Sequence, residues 1–242
     1  VFHQGACSST TEQDGKYMMF NNYEYSKILI NYCLKNKINF IYASSAAIYG
    51  NGEKGFIEEL ESEYPLNVYG FSKFAFDNYV RRILPKAESQ VMGLRYFNVY
   101  GPGQFGDSAY STAVSAWCHA IKHGSPLRKD GTGEQSRDLC YVDNVVDANV
   151  LAMNSARQFT GERYNVACED RISNNEILKF LEDSFGPLDI EEAPFRPGDV
   201  MHTQADISTS QTNLGFDPVV SLEEGIKFAL LLFFCVISVS NT

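Results

Sequence analysis

The chain has 242 residues, 44% hydrophobic and 13% aromatic, with a formal net charge of -10, enough apolar side chain for one large domain or a domain with a small lobe. The acidic balance disfavours non-specific binding of nucleic acid or anionic lipid, so an anionic ligand has to be met by local arginines or helix N-termini. Six cysteines (Cys7, Cys33, Cys118, Cys140, Cys168, Cys235) form no CxxC pair and lie mostly in apolar stretches, the pattern of buried thiols in a reducing compartment.

The sequence opens Val1-Phe2-His3-Gln4, without a methionine and without the charged-then-apolar pattern of a secretory or transit segment, so a cytoplasmic protein whose natural start lies upstream is expected. The first regular element is a helix over residues 21–35, with an apolar stripe at Tyr25, Ile28, Leu29, Tyr32 and Cys33. A β-rich run over 39–44 follows, then a helix over 69–83, a strand over 90–96, a helix over 112–121 and a strand over 137–142. Further helices are expected over 142–153 and 173–185, with a strand over 163–167 between them; Ser173 and Glu176 make a capping-box signature. Pro187, Pro194, Pro197 and Pro218 punctuate the remainder, which points to a boundary near residue 160 between a larger domain (1–160) and a mainly C-terminal lobe (161–242) whose segments can interleave. The apolar run Phe228–Val239 falls short of the ~20 residues that span a bilayer and reads as a buried terminal helix. Alternating strands and helices predict an α/β fold with a largely parallel sheet.

Chemistry concentrates where the strand over 39–44 ends in Ser44-Ser45-Ala46 and where Tyr69 and Lys73 stand four apart at a helix start, on one face. In open parallel sheets the carboxyl ends of strands line the ligand crevice. A phenol of pKa ~10 becomes a base near neutrality only if about 4 kcal/mol is supplied. One ammonium at ~4 Å in an effective dielectric of ~20 supplies roughly that. Ser45 can hydrogen-bond the reacting oxygen and orient it toward Tyr69. His119 and His123 share a helix face with no third ligand nearby, so no metal site is expected.

Ser45, Tyr69-xxx-Lys73 and Arg95-Tyr96-Phe97-Asn98-Val99-Tyr100-Gly101-Pro102 together resemble an extended short-chain dehydrogenase/reductase. The resemblance implies a Rossmann-like doubly wound parallel sheet with a small substrate-binding lobe, and NAD or NADP as cofactor. The glycine fingerprint of the family's first βαβ unit is not found in this chain; Gly131-Thr132-Gly133 lacks the flanking strand and helix. The likeness begins after that unit, at His3-Gln4-Gly5-Ala6. It implies catalytic roles for Ser45, Tyr69 and Lys73, cofactor contacts for Gly5, Ala6, Asn21, Ser44, Tyr69 and Lys73, and substrate contacts for Ser45, Asn98, Arg137 and Arg196.

Within that family, His3 to Lys27, Tyr42 to Ala47 and Pro65 to Gly70 resemble ADP-heptose 6-epimerases. Arg137-Asp138-Leu139-Cys140-Tyr141-Val142-Asp143-Asn144 and Arg196-Pro197-Gly198-Asp199 are more like UDP-N-acetylhexosamine 4-epimerases. Where the heptose enzymes carry a second catalytic lysine, this sequence has Asp107. The implied partner is a nucleotide-diphosphate sugar, its diphosphate suited to Arg137 and Arg196, whose guanidinium forks bind phosphate bidentately. Arg137 and Arg196 read equally well as ion-pair partners, and Asn21-Asn22 as a helix cap. The resemblance further implies a homo-oligomer formed through the helices over 21–35 and 69–83.

Overall fold

The computed structural model describes residues 1–104, 106, 111–156, 159–196 and 199–235. Its elements in chain order are β1 (Phe2–His3), α1 (Gly15–Met19), α2 (Tyr25–Lys35), β2 (Phe40–Ser45), α3 (Val68–Ile83), β3 (Val91–Tyr96), β4 (Val99–Tyr100), α4 (Ala113–His123) and β5 (Leu127–Asp130). They continue with β6 (Ser136–Asp138), β7 (Cys140–Tyr141), α5 (Val142–Asn154), β8 (Thr160–Val166), β9 (Arg171–Ser173), α6 (Asn174–Phe185), β10 (Ile190–Ala193), α7 (Ser208–Leu214) and α8 (Leu222–Cys235). The chain divides into two compact units, Val1–Phe97 with Val145–Val166 and Ala205–Asp217, and Asn98–Asn144 with Ala167–Gln204 and Pro218–Thr242. The two units interleave along the chain, one of their crossings falling at Val166/Ala167.

In the first unit a four-stranded sheet, ordered β1-β2-β3-β8, is parallel throughout. β2 and β3 are in continuous register, with Ser44 opposite Arg95 and Ser45 opposite Tyr96. Because successive strand residues face opposite sides, Tyr42, Ser44 and Arg95 turn toward α3, whereas Tyr96 meets Asn149 of α5 through a 2.8 Å hydrogen bond. Helices thus cover both faces of the sheet. Tyr42 lies across Gly93, where a Cβ would stand 2.7 Å from the phenol oxygen; only glycine lets that ring reach Asp77.

Arg95 is fully buried. Its Nη2 donates to Asp77 Oδ2 at 2.9 Å and to Glu63, and its Nη1 donates to the Tyr49 hydroxyl at 2.9 Å. Tyr42 and Ser44 donate to the two oxygens of Asp77 at 2.9 and 3.1 Å. Tyr49 passes its own proton to Asn165 Oδ1 at 2.7 Å, and Asn165 Nδ2 in turn donates to the carbonyls of Phe56 and Asp206. The network ties β2, β3, β8 and α3 to the loops around residues 56–63 and 206.

The helix expected over 21–35 starts earlier, at Gly15, because Asp14 caps it by accepting the Tyr17 N–H at 3.0 Å. A π-turn at Phe20–Glu24 separates α1 from α2. That extra residue rotates the apolar stripe, so Ser26, Ile30 and Cys33 are buried while Tyr25, Ile28 and Tyr32 stand 50–65% exposed. The stripe expected to face the core is, for these three residues, an outward apolar face.

The second unit pairs β5 with β10 and β4 with β7 in parallel and β6 with β9 antiparallel. The strand expected over 137–142 is broken at Leu139, since β6 and β7 serve different partners and α5 begins at Val142. α4, α6 and α8 pack their apolar faces together through Trp117, Leu178, Leu181, Ile226 and Leu230. Ser173 and Glu176 form the capping box, each side chain meeting the other's backbone N–H. In the C-terminal apolar run Ala229 and Leu230 are buried, Phe228 and Leu231 are exposed, and residues 236–242 lie outside the described residues. Cys7, Cys33, Cys118 and Cys140 are buried as expected, but Cys168 is only partly so. Among the described residues no helix is long and apolar enough to cross a membrane.

Removing the guanidinium takes from the buried Asp77 and Glu63 carboxylates the donor they share, although Arg81 still pairs with Glu63. Arg95→Leu is expected to destabilise the protein by about 3–5 kcal/mol in urea unfolding followed by circular dichroism. A loss below ~1 kcal/mol would show that Asp77 and Glu63 are satisfied without it.

Candidate active site

Ser45 closes β2, and its hydroxyl caps the following 3₁₀ turn by accepting the Ala47 N–H at 3.2 Å. α3 begins against that turn: Asn67 caps it by accepting the Gly70 N–H at 2.8 Å. Gly70 is required there because a Cβ would lie 2.6 Å from the Ala47 carbonyl. Tyr69 is thereby carried to the end of β2, near enough to Ser45 for that hydroxyl to act on its phenol. Lys73, one turn later, is buried and donates from Nζ to the Ala43 carbonyl at 2.9 Å. The spacing that put Ser45, Tyr69 and Lys73 together in the sequence therefore holds in three dimensions.

The electrostatics differ from expectation. Burial raises the Tyr69 phenol above its ordinary value against the hydrogen bond from Ser45, which lowers it. Burial also pulls the Lys73 ammonium down to about 8, against the carboxylate of Asp77 one helical turn away. The lysine remains mostly charged at neutral pH, with N–H donors beyond the one given to the Ala43 carbonyl.

The front segment is organised by a residue that sequence reasoning read only as part of a helix cap. Asn22, buried in the π-turn, accepts the Cys7 N–H and donates to the Cys7 carbonyl, both at 2.8 Å, and donates to Ser72 Oγ at 3.0 Å. Asn21, the predicted cofactor contact, donates instead to the Tyr17 carbonyl one turn back at 2.8 Å. Neither asparagine caps a helix, and only the π-turn reveals which of the two points inward. Gly5 and Ala6 are exposed, and a Cβ on Gly5 would meet nothing within 4 Å, leaving the backbone open to a ligand. Ser44 does not offer its hydroxyl to a cofactor: it faces the opposite side from Ser45 and is held by Asp77.

In the second unit Asn98 is half-buried, and its carbonyl accepts the Cys140 N–H at 3.2 Å. Arg137 pairs with Asp199 at 2.5 Å and also donates to the carbonyls of Ser136 and Met201. Arg196 pairs with Asp130 at 2.6 Å, and Asp130 also holds Arg128. Both arginines are thus ion-paired. Asp107 lies outside the described residues.

His3 is buried with Nε2 2.7 Å from Ser26 Oγ, whose own proton goes to the Asn22 carbonyl at 2.7 Å, so His3 carries its proton on Nε2. Burial, with the charge of Lys73 second, lowers His3 from 6.5 to about 4. Between these values the unfolded chain binds more protons than the folded one, so stability falls as pH drops from 6.5 toward 4. The loss is about 3 kcal/mol for the full shift. Urea unfolding across this window should show a flatter pH slope for His3→Gln than for the wild type; equal slopes would place the titration elsewhere.

The sequence profile of the NAD dependent epimerase/dehydratase family matches residues 1–167. Among solved structures, a UDP-N-acetylglucosamine 4-epimerase from Methanobrevibacter ruminantium, in complex with UDP-N-acetylmuramic acid, is 29% identical with a TM-score of 0.89, covering 98% of this chain and 76% of that one. The ADP-L-glycero-D-manno-heptose-6-epimerase of Helicobacter pylori is 34% identical with a TM-score of 0.81, covering 96% and 71%. A UDP-glucose 4-epimerase from Thermus thermophilus, in complex with NAD, is 27% identical with a TM-score of 0.85, covering 96% and 76%. With the parallel sheet and the Ser45, Tyr69 and Lys73 cluster already assembled, this chain belongs to the NAD-dependent epimerase/dehydratase family.

Proposed function

We propose that this protein is a nucleotide-sugar epimerase acting by transient oxidation and re-reduction with NAD, and that its substrate is an ADP-glycero-manno-heptose inverted at C6. The observation that carries the reaction is the gathering of Ser45, Tyr69 and the buried Lys73 around the end of β2. Bound NAD supplies the hydride acceptor and, in the return step, the donor. Ser45 holds the sugar oxygen by hydrogen bond, and Tyr69 removes its proton and later returns it. Lys73, anchored on the Ala43 carbonyl, steadies the phenolate by its charge and offers its remaining N–H groups to a ribose. Gly5 gives the cofactor an approach to the backbone without steric hindrance.

The heptose assignment rests on the motifs of the front half and on the 34% identity to the Helicobacter pylori enzyme. A second reading, 4-epimerisation of a UDP-N-acetylhexosamine or UDP-glucose, is favoured by the Arg137 and Arg196 segments and by the higher TM-score of 0.89. In either case Arg137 and Arg196 hold the diphosphate after releasing Asp199 and Asp130. The outward apolar residues Phe20, Ile28 and Tyr32, with Phe71 of α3, support self-association through these helices.

Incubation with NAD and either ADP-glycero-manno-heptose or UDP-N-acetylglucosamine, followed by NMR of the epimer ratio, tests the proposal. Heptose turnover, reduced on the order of 10²–10⁴-fold in Tyr69→Phe, is the expected result. Turnover of the UDP-sugar alone selects the second reading. Binding of a sugar nucleotide by calorimetry without turnover of either substrate overturns the enzymatic assignment in favour of a binding module.

A further inference from the structure

In the second unit β6, which carries Arg137, runs between two chain segments. Along one edge it pairs with β9. Along the other it meets residues 201–203 in parallel: the Ser136 N–H donates to the Met201 carbonyl at 3.0 Å, the Thr203 N–H to the Ser136 carbonyl at 3.1 Å, and the Asp138 N–H to the Thr203 carbonyl at 3.0 Å. His202 stands opposite Ser136 in this ladder, and its Nδ1 lies 2.8 Å from the Ser136 hydroxyl oxygen. Ser136 is buried, whereas His202 is exposed.

The same segment holds the guanidinium. Arg137 Nη2 donates to Asp199 Oδ1 at 2.5 Å, and Nη1 donates to the carbonyls of Ser136 at 2.9 Å and Met201 at 3.2 Å. The Ser136 carbonyl thus takes both the Thr203 N–H and the guanidinium. A guanidinium already fixed in place loses less side-chain freedom when it grips a phosphate. When a diphosphate takes the place of Asp199, the tie between that carboxylate and Arg137 is lost. The Ser136–His202 bond is a tie that the phosphate leaves intact, and it keeps the Met201 carbonyl seated against the guanidinium. Losing this bond therefore costs the free protein little while Asp199 holds the segment, and costs more once Asp199 is displaced. The difference is read as ligand affinity.

We propose that His202, acting through Ser136, is a positioning residue for Arg137 and thereby sets the affinity for the diphosphate of the nucleotide sugar. The inference rests on the reading that Arg137 holds that diphosphate, and it applies equally to an ADP-sugar and a UDP-sugar. His202 acts through the backbone of β6 and the segment beside it, not through contact with the phosphate.

The test is calorimetric titration of the full chain with ADP and with UDP. His202→Leu is expected to weaken whichever diphosphate binds by roughly 3–10-fold, the effect of one lost hydrogen bond, and to leave the melting temperature of the ligand-free protein unchanged. Asn carries a polar atom at the position of Nδ1 and Gln one at the position of Nε2, so His202→Asn is expected to bind within about 2-fold of wild type and His202→Gln to resemble His202→Leu. Because the effect passes through Arg137, the double variant Arg137→Leu with His202→Leu is expected to bind no more weakly than Arg137→Leu alone. Wild-type affinity in His202→Leu, equal losses in His202→Asn and His202→Gln, or additive losses in the double variant would each overturn the inference while leaving Arg137 its phosphate. Wild-type affinity in Arg137→Leu, or binding of neither diphosphate by the wild type, overturns the reading and the inference together. Ser136→Ala removes the same bond from the β6 side and decides the matter if His202→Leu does not fold.

Discussion

The first unit is organised around the buried guanidinium of Arg95. Arg95 brings a full charge into the face of the sheet that α3 covers, where it is tolerable only with carboxylates and hydroxyls arranged around it. Meeting that demand fixes the position of α3 through Asp77, of the loop before it through Glu63, and of β2 through Tyr42 and Ser44. The Arg95 guanidinium also lies 4.9 Å from the centre of the Tyr49 ring, adding attraction from its π face. A nonpolar residue of the same volume can fill space, but it cannot specify which oxygens must come to it.

The reactive residues inherit their geometry from this arrangement. Residues 42, 43 and 44 of β2 are each gripped from α3, the outer two through Asp77 and the middle one through Lys73 on its carbonyl. Ser45 is the next residue, and the turn it caps is where Gly70 lets the start of α3 approach. Asp77 has a second effect: its charge opposes the desolvation that lowers Lys73, so the lysine stays mostly protonated at neutral pH although it is buried. Asn22 acts comparably on the other side of α3, fastening the Cys7 backbone to Ser72. The π-turn that aims it inward fits the tendency of such bulges to occur at functional sites.

The second unit handles charge differently. Arg137 and Arg196 are closer to the surface and each is matched by one aspartate. Arg196 is the exposed member of its pair, whereas Arg137 is largely covered and Asp130 is buried.

Much of this was legible in the linear chain. Alternating apolar runs and helical stripes gave an α/β class with a parallel sheet. The fourfold spacing of Tyr69 and Lys73 placed them on one helix face, and the Ser173/Glu176 signature marked a helix start; all three are local properties that backbone periodicity enforces. What only tertiary structure decided depends on contacts distant in the chain. Periodicity could not say that Ser44 faces Asp77 while Ser45 faces Tyr69, nor that an inserted π-turn buries Asn22 and turns Tyr25, Ile28 and Tyr32 outward. Nor could it separate the strand over 137–142 into two pieces with different partners. Arg95 stood in a recognisable motif, but its burial, and hence its role, follows from Glu63, Asp77 and Tyr49 arriving from separate parts of the chain. The sign and size of the shifts at Lys73 and His3 have the same origin, because desolvation is a property of the packed surroundings and not of the residue or its neighbours in sequence.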